Sequence, residues 1–263
     1  MFKVSCIQIC SGKDVVKNLS ISKKLILKAV KQKSDFIITP ETSSLFGLNK
    51  KNLLQTVTVM EKDVYLKGIQ KLAKKYKKWI LTCVIIKEEK KIKNRSVLIN
   101  PKGLITTYYD KIHMYDVELS KKEKYFESKT FASGNSLKTA KLPWGKLGLS
   151  ICYDVRFPNM FRKLSKKGSL FISVPSAFTK TTGKKHWHSL LKARAIENFC
   201  YIFAPAQYGT HWNGRKTYGH SLIISPDGKI LKELKKDMGV ITANIDPNIS
   251  KILRKRIPSL YKD

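Results

Sequence analysis

Long apolar runs are missing from this 263-residue chain. No stretch approaches the ~18 consecutive apolar residues of a membrane-spanning helix, so an integral helical membrane protein is excluded. Nucleotide signatures are missing as well: neither GxGxxG nor GxxxxGK[ST] occurs, and no cofactor is expected. GxSxG, HExxH and Cys/His zinc spacings are also lacking, so no metal is expected. Cysteine is scarce and odd in number: Cys6, Cys10, Cys83, Cys152 and Cys200. The first residues, MFKVSCIQIC, lack the basic and apolar regions of a secretory signal and have strand composition. A reduced, cytoplasmic chain is the expectation. Acid is scarce too, with 19 Asp+Glu against 52 Lys+Arg and a net charge of +33. Such a charge suggests a polyanionic partner. The cations are spread along the whole chain, however, and arginine is rare among them: Arg95, Arg156, Arg162, Arg194, Arg215, Arg254 and Arg256. Specific nucleic-acid readers rely on arginine forks, so no specific nucleic-acid partner is expected. Weak adhesion to polyanions at low salt remains.

What is present is a globular composition, 42% hydrophobic and 10% aromatic, consistent with a single domain over 1–263. Strand composition appears at 2–9, 35–39 and 79–86, and again at 148–152, 169–174, 200–207, 220–225, 229–234 and 239–245. Apolar periodicity predicts helices over 14–32, with Asp14 as N-cap, over about 61–77 and over 186–198. A further helix opens near Pro158. Pro101 and Gly103 mark one hairpin, and Pro226, Asp227 and Gly228 another. The class is α/β. Because the later strands come in hairpins, a mixed sheet, or two sheets face to face with helices outside, fits better than a plain doubly wound sheet.

Cys152 is the sharpest chemical candidate. An apolar strand ends on it, and a turn leads to the Pro158 helix. Backbone N–H groups and a helix N-terminus at such a corner favour a thiolate and can stabilise an oxyanion. A buried core cysteine is the alternative reading. Glu41 follows a strand and Pro40, at the sheet edge where open α/β folds place their sites, although a solvated loop glutamate would look the same. Lys111 is one lysine among many, distinguished by its flank YYDKIHMYD, and Glu127 lies in the loop-like YFESKTFASG.

Taken together, ITPETS, YYDKIHMYDV, FESKTFASGNS, GLSICYDVRFP, PSAFTKTTGKKHW, LKARAIEN and KTYGHSLIISPDG resemble the nitrilase superfamily of carbon–nitrogen hydrolases over nearly the whole chain. The resemblance implies an α-β-β-α sandwich of two mixed β-sheets flanked by helices. It also implies assembly into a homodimer or a larger homo-oligomer. AQYGTHWNGRKTYGHS is most similar to the deaminated glutathione amidases, with the omega-amidases as sister group. Asn159 and His188 stand where glutamates are usual, which bears on substrate identity more than on chemistry.

The resemblance also implies roles. Cys152 would be the nucleophile, Glu41 the proton carrier and Lys111 the oxyanion stabiliser, with the backbone N–H of Tyr153 assisting. Glu127 would position the substrate amide and Lys111. The expected substrate is a small amide bearing a carboxylate. Arg156, four residues after Cys152, is a candidate for recognising that carboxylate, or else a brace for Asp154 or Glu197, with Arg194 as the alternative brace. Phe178, Thr181, Thr182 and Tyr208 are expected to line the pocket. The readings of another class are a catalytically silent binding or scaffold protein and a polyanion binder.

Overall fold

The structure, a computed structural model, describes residues 1–121 and 123–262. Among these the strands form two six-stranded sheets. The first sheet runs β16 (Gly239–Ile245), β1 (Phe2–Gln8), β2 (Phe36–Ile38), β3 (Trp79–Glu88), β4 (Lys91–Ile99), β5 (Ile105–Asp110). The second runs β15 (Ile230–Leu234), β14 (Ser221–Ile224), β11 (Tyr201–Ala204), β10 (Ser169–Ser173), β9 (Gly145–Leu149), β8 (Thr139–Leu142). Each sheet has a parallel centre, β1-β2-β3 and β9-β10-β11, with antiparallel strands on both sides. Parallel neighbours need long crossovers. These are α1 (Val15–Lys31), then α2 (Lys50–Thr56) with α3 (Val64–Tyr76), in the first sheet, and α4 (Pro158–Lys166) and α5 (Lys180–Asn198) in the second. Two small ribbons, β6 (Asp116–Glu118) with β7 (Lys124–Phe126) and β12 (Tyr208–Thr210) with β13 (Lys216–Tyr218), and the last helix α6 (Pro247–Arg256) complete the fold.

The sheets pack face to face. Phe2 meets Phe171 edge-on with ring centroids 5.3 Å apart, and Phe36 meets Phe203 at 6.4 Å. Val4, Cys6, Ile38 and Leu81 from one sheet join Leu147, Ile172 and Leu222 from the other in one buried cluster. Burying such side chains contributes about 1.5–3 kcal/mol each, which makes this interface the main stabilising layer. Alternate residues of the first sheet, Ile7, Ile37, Ile80 and Val84, point outward onto Ile26 and Ala29 of α1 and Leu66, Ile69 and Ala73 of α3. On the other side α4 and α5 contact β10 and β11. The architecture is therefore the α-β-β-α sandwich. The two hairpins expected from Pro101/Gly103 and Asp227/Gly228 are β4-β5 and β14-β15.

The helix ends differ from the pattern in the sequence for local reasons. Helix α3 starts at Val64 because the Asp63 carboxylate accepts the Leu66 N–H at 2.6 Å. Helix α5 starts six residues before 186, capped by the Thr179 hydroxyl. Helices α2 and α6 have no apolar stripe to read: the buried residues are Leu53 in α2 and Ser250 and Arg254 in α6. Arg254 instead anchors α6 by donating to the carbonyls of Ser169 (2.6 Å) and Asn198 (3.0 Å).

Candidate active site

The carboxyl ends of β2, β5, β7 and β9 converge at one side of the sandwich, where crevices form in α/β sheets. Each delivers one group. Past β2, Thr39 and Pro40 lead to Glu41, and Thr42 then takes a left-handed φ of 55° that turns the chain away. Lys111 directly follows β5, its N–H bonded to the Asn94 carbonyl at 3.0 Å. Glu127 opens the short 3-10 turn Glu127–Lys129 after β7. Cys152 opens the 3-10 turn Cys152–Arg156 after β9.

The Cys152 corner is strained. Its φ is 50°, a region that residues with a Cβ rarely adopt. The surroundings hold it there. The Cys152 N–H donates to the Pro175 carbonyl at 3.0 Å. The buried Asp154 carboxylate accepts from the Ile151 N–H (2.8 Å), the Tyr109 hydroxyl (2.7 Å) and the His113 N–H (3.1 Å), and its Oδ1 lies 2.7 Å from the His113 ring Nδ1.

Lys111 is the hub of the polar network. Its Nζ lies 2.8 Å from Glu41 Oε1 and 2.8 and 3.0 Å from the two Glu127 oxygens. Glu41 Oε1 also accepts from Asn94 Nδ2 at 2.9 Å, and its Oε2 from the Ala177 N–H at 2.8 Å. The Cys152 thiol lines the same cavity, close enough for the Glu41 charge to act on it. Glu127 Oε2 accepts the Tyr115 N–H at 2.7 Å. Burial alone would push Glu41 up, but the Lys111 ammonium outweighs it and holds the acid below the ordinary carboxylate range. Burial would likewise push Lys111 down, but the Glu127 and Glu41 carboxylates hold it well above the usual lysine value. Cys152 goes the other way. Burial raises it, the Glu41 charge raises it further, and Lys111 offsets only part. The resting pair is therefore a neutral thiol beside a carboxylate. The thiolate expected from the helix-end corner is corrected here: burial and the Glu41 charge raise the thiol by more than the Lys111 ammonium and the backbone N–H groups lower it.

One glycine keeps this network in register. The Gly134 N–H donates to the Lys111 carbonyl at 2.7 Å, and a Cβ at Gly134 would lie 2.3 Å from the Asp110 carbonyl oxygen. Gly134→Ala must push the end of β5, and with it Lys111. We expect a loss of about 1–3 kcal/mol of stability and a drop in kcat of about 10²-fold, since misplacing a catalytic group by about 1 Å costs that much. Thermal melts and initial rates check this; wild-type values for both would show that the strand end yields freely.

Glu41, Lys111, Glu127 and Cys152 line one cavity of ≈ 210 Å³, together with Tyr153, Phe178 and Thr182. Three other expected pocket residues do not line it. Thr181 is exposed, with its hydroxyl 2.8 Å from Glu123 Oε2. Tyr208 lies on the β12-β13 ribbon, outside the cavity. Arg156 is half-buried, with Nη2 3.3 Å from His186 Nδ1 and its guanidinium 5.3 Å from the centre of the Phe178 ring. It does not brace Asp154 or Glu197 either; Arg194 holds Glu197 at 3.0 Å and the Val155 carbonyl at 2.8 Å. The sequence reading missed Asn94 and Arg215. The signal for Asn94 was present: Lys93, Asn94, Arg95 and Ser96 are four successive polar residues, all buried in β4. Outside the cavity, His188 Nε2 and His220 Nδ1 both meet Glu233 Oε1, at 3.0 and 2.6 Å. These three are close enough together to hold an ion, but they already satisfy one another.

A sequence profile of the carbon–nitrogen hydrolases matches residues 3–254. The chain belongs to the carbon–nitrogen hydrolase family, within the nitrilase superfamily. It is 37% identical to a deaminated glutathione amidase of Synechocystis over 98% of this chain and 97% of that protein. It is 34% identical to one of Yersinia enterocolitica over 98% and 91%. Among solved structures, the NitFhit protein of C. elegans superposes with a TM-score of 0.93 at 33% identity, covering 100% of this chain and 65% of that one. Nit3 of Saccharomyces cerevisiae superposes at 0.88 with 27% identity, covering 98% and 94%. As a member of this family the chain is a hydrolase, and no helix among the described residues is long and apolar enough to cross a membrane.

Proposed function

We propose that the protein is a cysteine-dependent amidase that hydrolyses the terminal amide of a small carboxylate-bearing substrate to the acid and ammonia. A deaminated glutathione amidase-like activity is the favoured form, supported by the names of the relatives at 34 and 37% identity. The observation that carries the reading is the buried Glu41 carboxylate, hydrogen-bonded to the Lys111 ammonium and lining the same cavity as the Cys152 thiol.

A buried thiol is a weak nucleophile until its proton is taken. As the Cys152 sulfur attacks the amide carbon, the thiol proton passes to Glu41. The carbonyl π pair moves onto oxygen, and the Lys111 ammonium and the Tyr153 N–H stabilise that oxyanion. When the intermediate collapses, the C–N bond breaks. Glu41 gives its proton to the departing nitrogen, and ammonia leaves a thioester on Cys152. Water then attacks the thioester while Glu41 takes its proton. The C–S bond breaks, the acid is released, and the proton returns to sulfur. Glu127 keeps Lys111 charged and oriented throughout.

An ammonia-release screen tests this. Deaminated glutathione, 2-oxoglutaramate, simple nitriles and N-carbamoyl compounds would be compared. The expected result is turnover of one of the two carboxylate-bearing amides well above the rest. 2-Oxoglutaramate as the better amide would favour an omega-amidase. Faster nitrile or carbamoyl turnover, or no ammonia from any amide, would overturn the reading.

A further inference from the structure

The buried arginines of this fold are filled. Arg95 carries Asp110 and Glu88, Arg194 carries Glu197 and a carbonyl, and Arg254 carries two carbonyls. Arg215 differs. It lies in the cavity wall just before β13. Its guanidinium lies over the rings of Tyr125 (4.7 Å) and Phe46 (5.4 Å). A long hydrogen bond ties Nη2 to the Ala177 carbonyl at 3.4 Å. Its Nε is buried without a partner, and among the described residues no carboxylate pairs with it. A buried donor left without an acceptor is costly, so an unfilled fork held by two aromatic faces is preorganised for an anion.

The charge count at the site agrees. Glu41 and Glu127 against Lys111 alone leave one negative charge near the reacting atoms, and Arg215 is the second cation lining the cavity, close enough to act on Glu41. An anionic substrate entering there would be repelled unless another cation balanced it. The placement also fits. Ala177 donates its N–H to Glu41 and accepts from Arg215, so the fork lies within about 10 Å of the Glu41 carboxylate, a span suited to the monoamide of a diacid of about four to six carbons. Beyond Arg215 and Tyr125, which belong to both, the cavity meets an outer hollow lined by Lys180, Lys184, Lys185 and Lys216. Glu123, the acidic group in that hollow, is engaged by the Thr181 and Tyr125 hydroxyls.

We propose that Arg215, and not Arg156, recognises the carboxylate at the far end of the substrate, with the lysine-lined hollow gathering anions at the entrance. The inference rests on the amidase reading. The first test compares kcat/KM for glutaramate and for valeramide, its neutral counterpart of equal length, in wild type, Arg215→Met, Arg215→Lys and Arg156→Met. Wild type should prefer glutaramate about ten- to a hundredfold. Arg215→Met should lose most of that ratio, chiefly through KM for glutaramate. Arg215→Lys should recover part of it, and Arg156→Met should keep it. Raising salt should depress the glutaramate rate and leave the valeramide rate alone. Equal wild-type values, an unchanged ratio in Arg215→Met, or an equal fall for both substrates would each overturn the assignment. The second test is calorimetric binding of glutarate to Cys152→Ser protein with and without Arg215→Met. Binding that needs Arg215, together with a wild-type protein that hydrolyses no amide, would sustain the anchor and sink the amidase. Binding indifferent to Arg215 would sink the anchor alone.

Discussion

Cys152→Ala is expected to lower kcat by about 10⁴-fold or more, the scale seen when a catalytic nucleophile is removed, while the fold stays intact. The stability part of this expectation follows from the site. The resting thiol is neutral, so its loss strands no buried charge. Glu41 keeps Lys111, Asn94 and the Ala177 N–H, so no buried acceptor is stranded and the cost should stay near the ~1 kcal/mol of a typical single substitution. Alanine retains a Cβ, so the strain at φ 50° persists. Cys152→Gly removes that strain and should be more stable than Cys152→Ala by about 1 kcal/mol, though equally inactive. Cys152→Ser should also be inactive, because a hydroxyl is harder to deprotonate than a thiol and Glu41 is held below the usual range. Steady-state ammonia release and thermal melts on the three variants measure both parts. Retained hydrolysis in the alanine protein would remove Cys152 from the mechanism, and a glycine variant no more stable than alanine would mean the corner stores no strain.

The site was unevenly legible in the sequence. Cys152 and Glu41 announce themselves because a strand ends on or just before each and a turn follows. Lys111 has no such mark in a lysine-rich chain, and its flank brought it out only through family resemblance. Thr181 and Thr182 show the limit of reading by neighbourhood. Both fall on α5, where successive side chains point about 100° apart, so only one of the pair, Thr182, can face the cavity. The rarity of arginine was a sound clue, but it was spent on the arginine nearest Cys152 in sequence. Arg215 reaches the cavity because the β12-β13 ribbon folds back over it, a long-range event that local pattern does not encode. The same holds for β16, a plain apolar strand whose pairing with β1 joins the two ends of the chain.

Lys111 should prove the most sensitive residue for stability and activity together. Lys111→Met leaves Glu41 and Glu127 facing each other, with side chains only 4% and 13% exposed, and no cation between them. Breaking a buried pair in this way costs about 3–5 kcal/mol. The variant can relieve the repulsion by taking up a proton, so one of the two carboxylates should titrate above its unfolded value. That group then contributes stability at acid pH that is lost as pH rises through the raised value. In the wild type Glu41 is depressed, so its contribution is present above the ordinary carboxylate pKa and is lost only as pH falls through the lowered one. Denaturant melts at mildly acidic and mildly alkaline pH should therefore show the deficit of Lys111→Met growing as pH rises. A deficit independent of pH would mean that the two carboxylates do not depend on Lys111 for their charge. Lys111→Arg separates this role from catalysis. It keeps the positive charge, so the pH-dependent deficit should shrink, but a planar fork cannot replace a compact ammonium aimed at one oxygen. Its kcat should still fall about 10²–10³-fold, the cost of losing an oxyanion donor. A wild-type rate in Lys111→Arg would reduce Lys111 to a neutraliser of Glu41 and Glu127 and leave the oxyanion to the Tyr153 N–H.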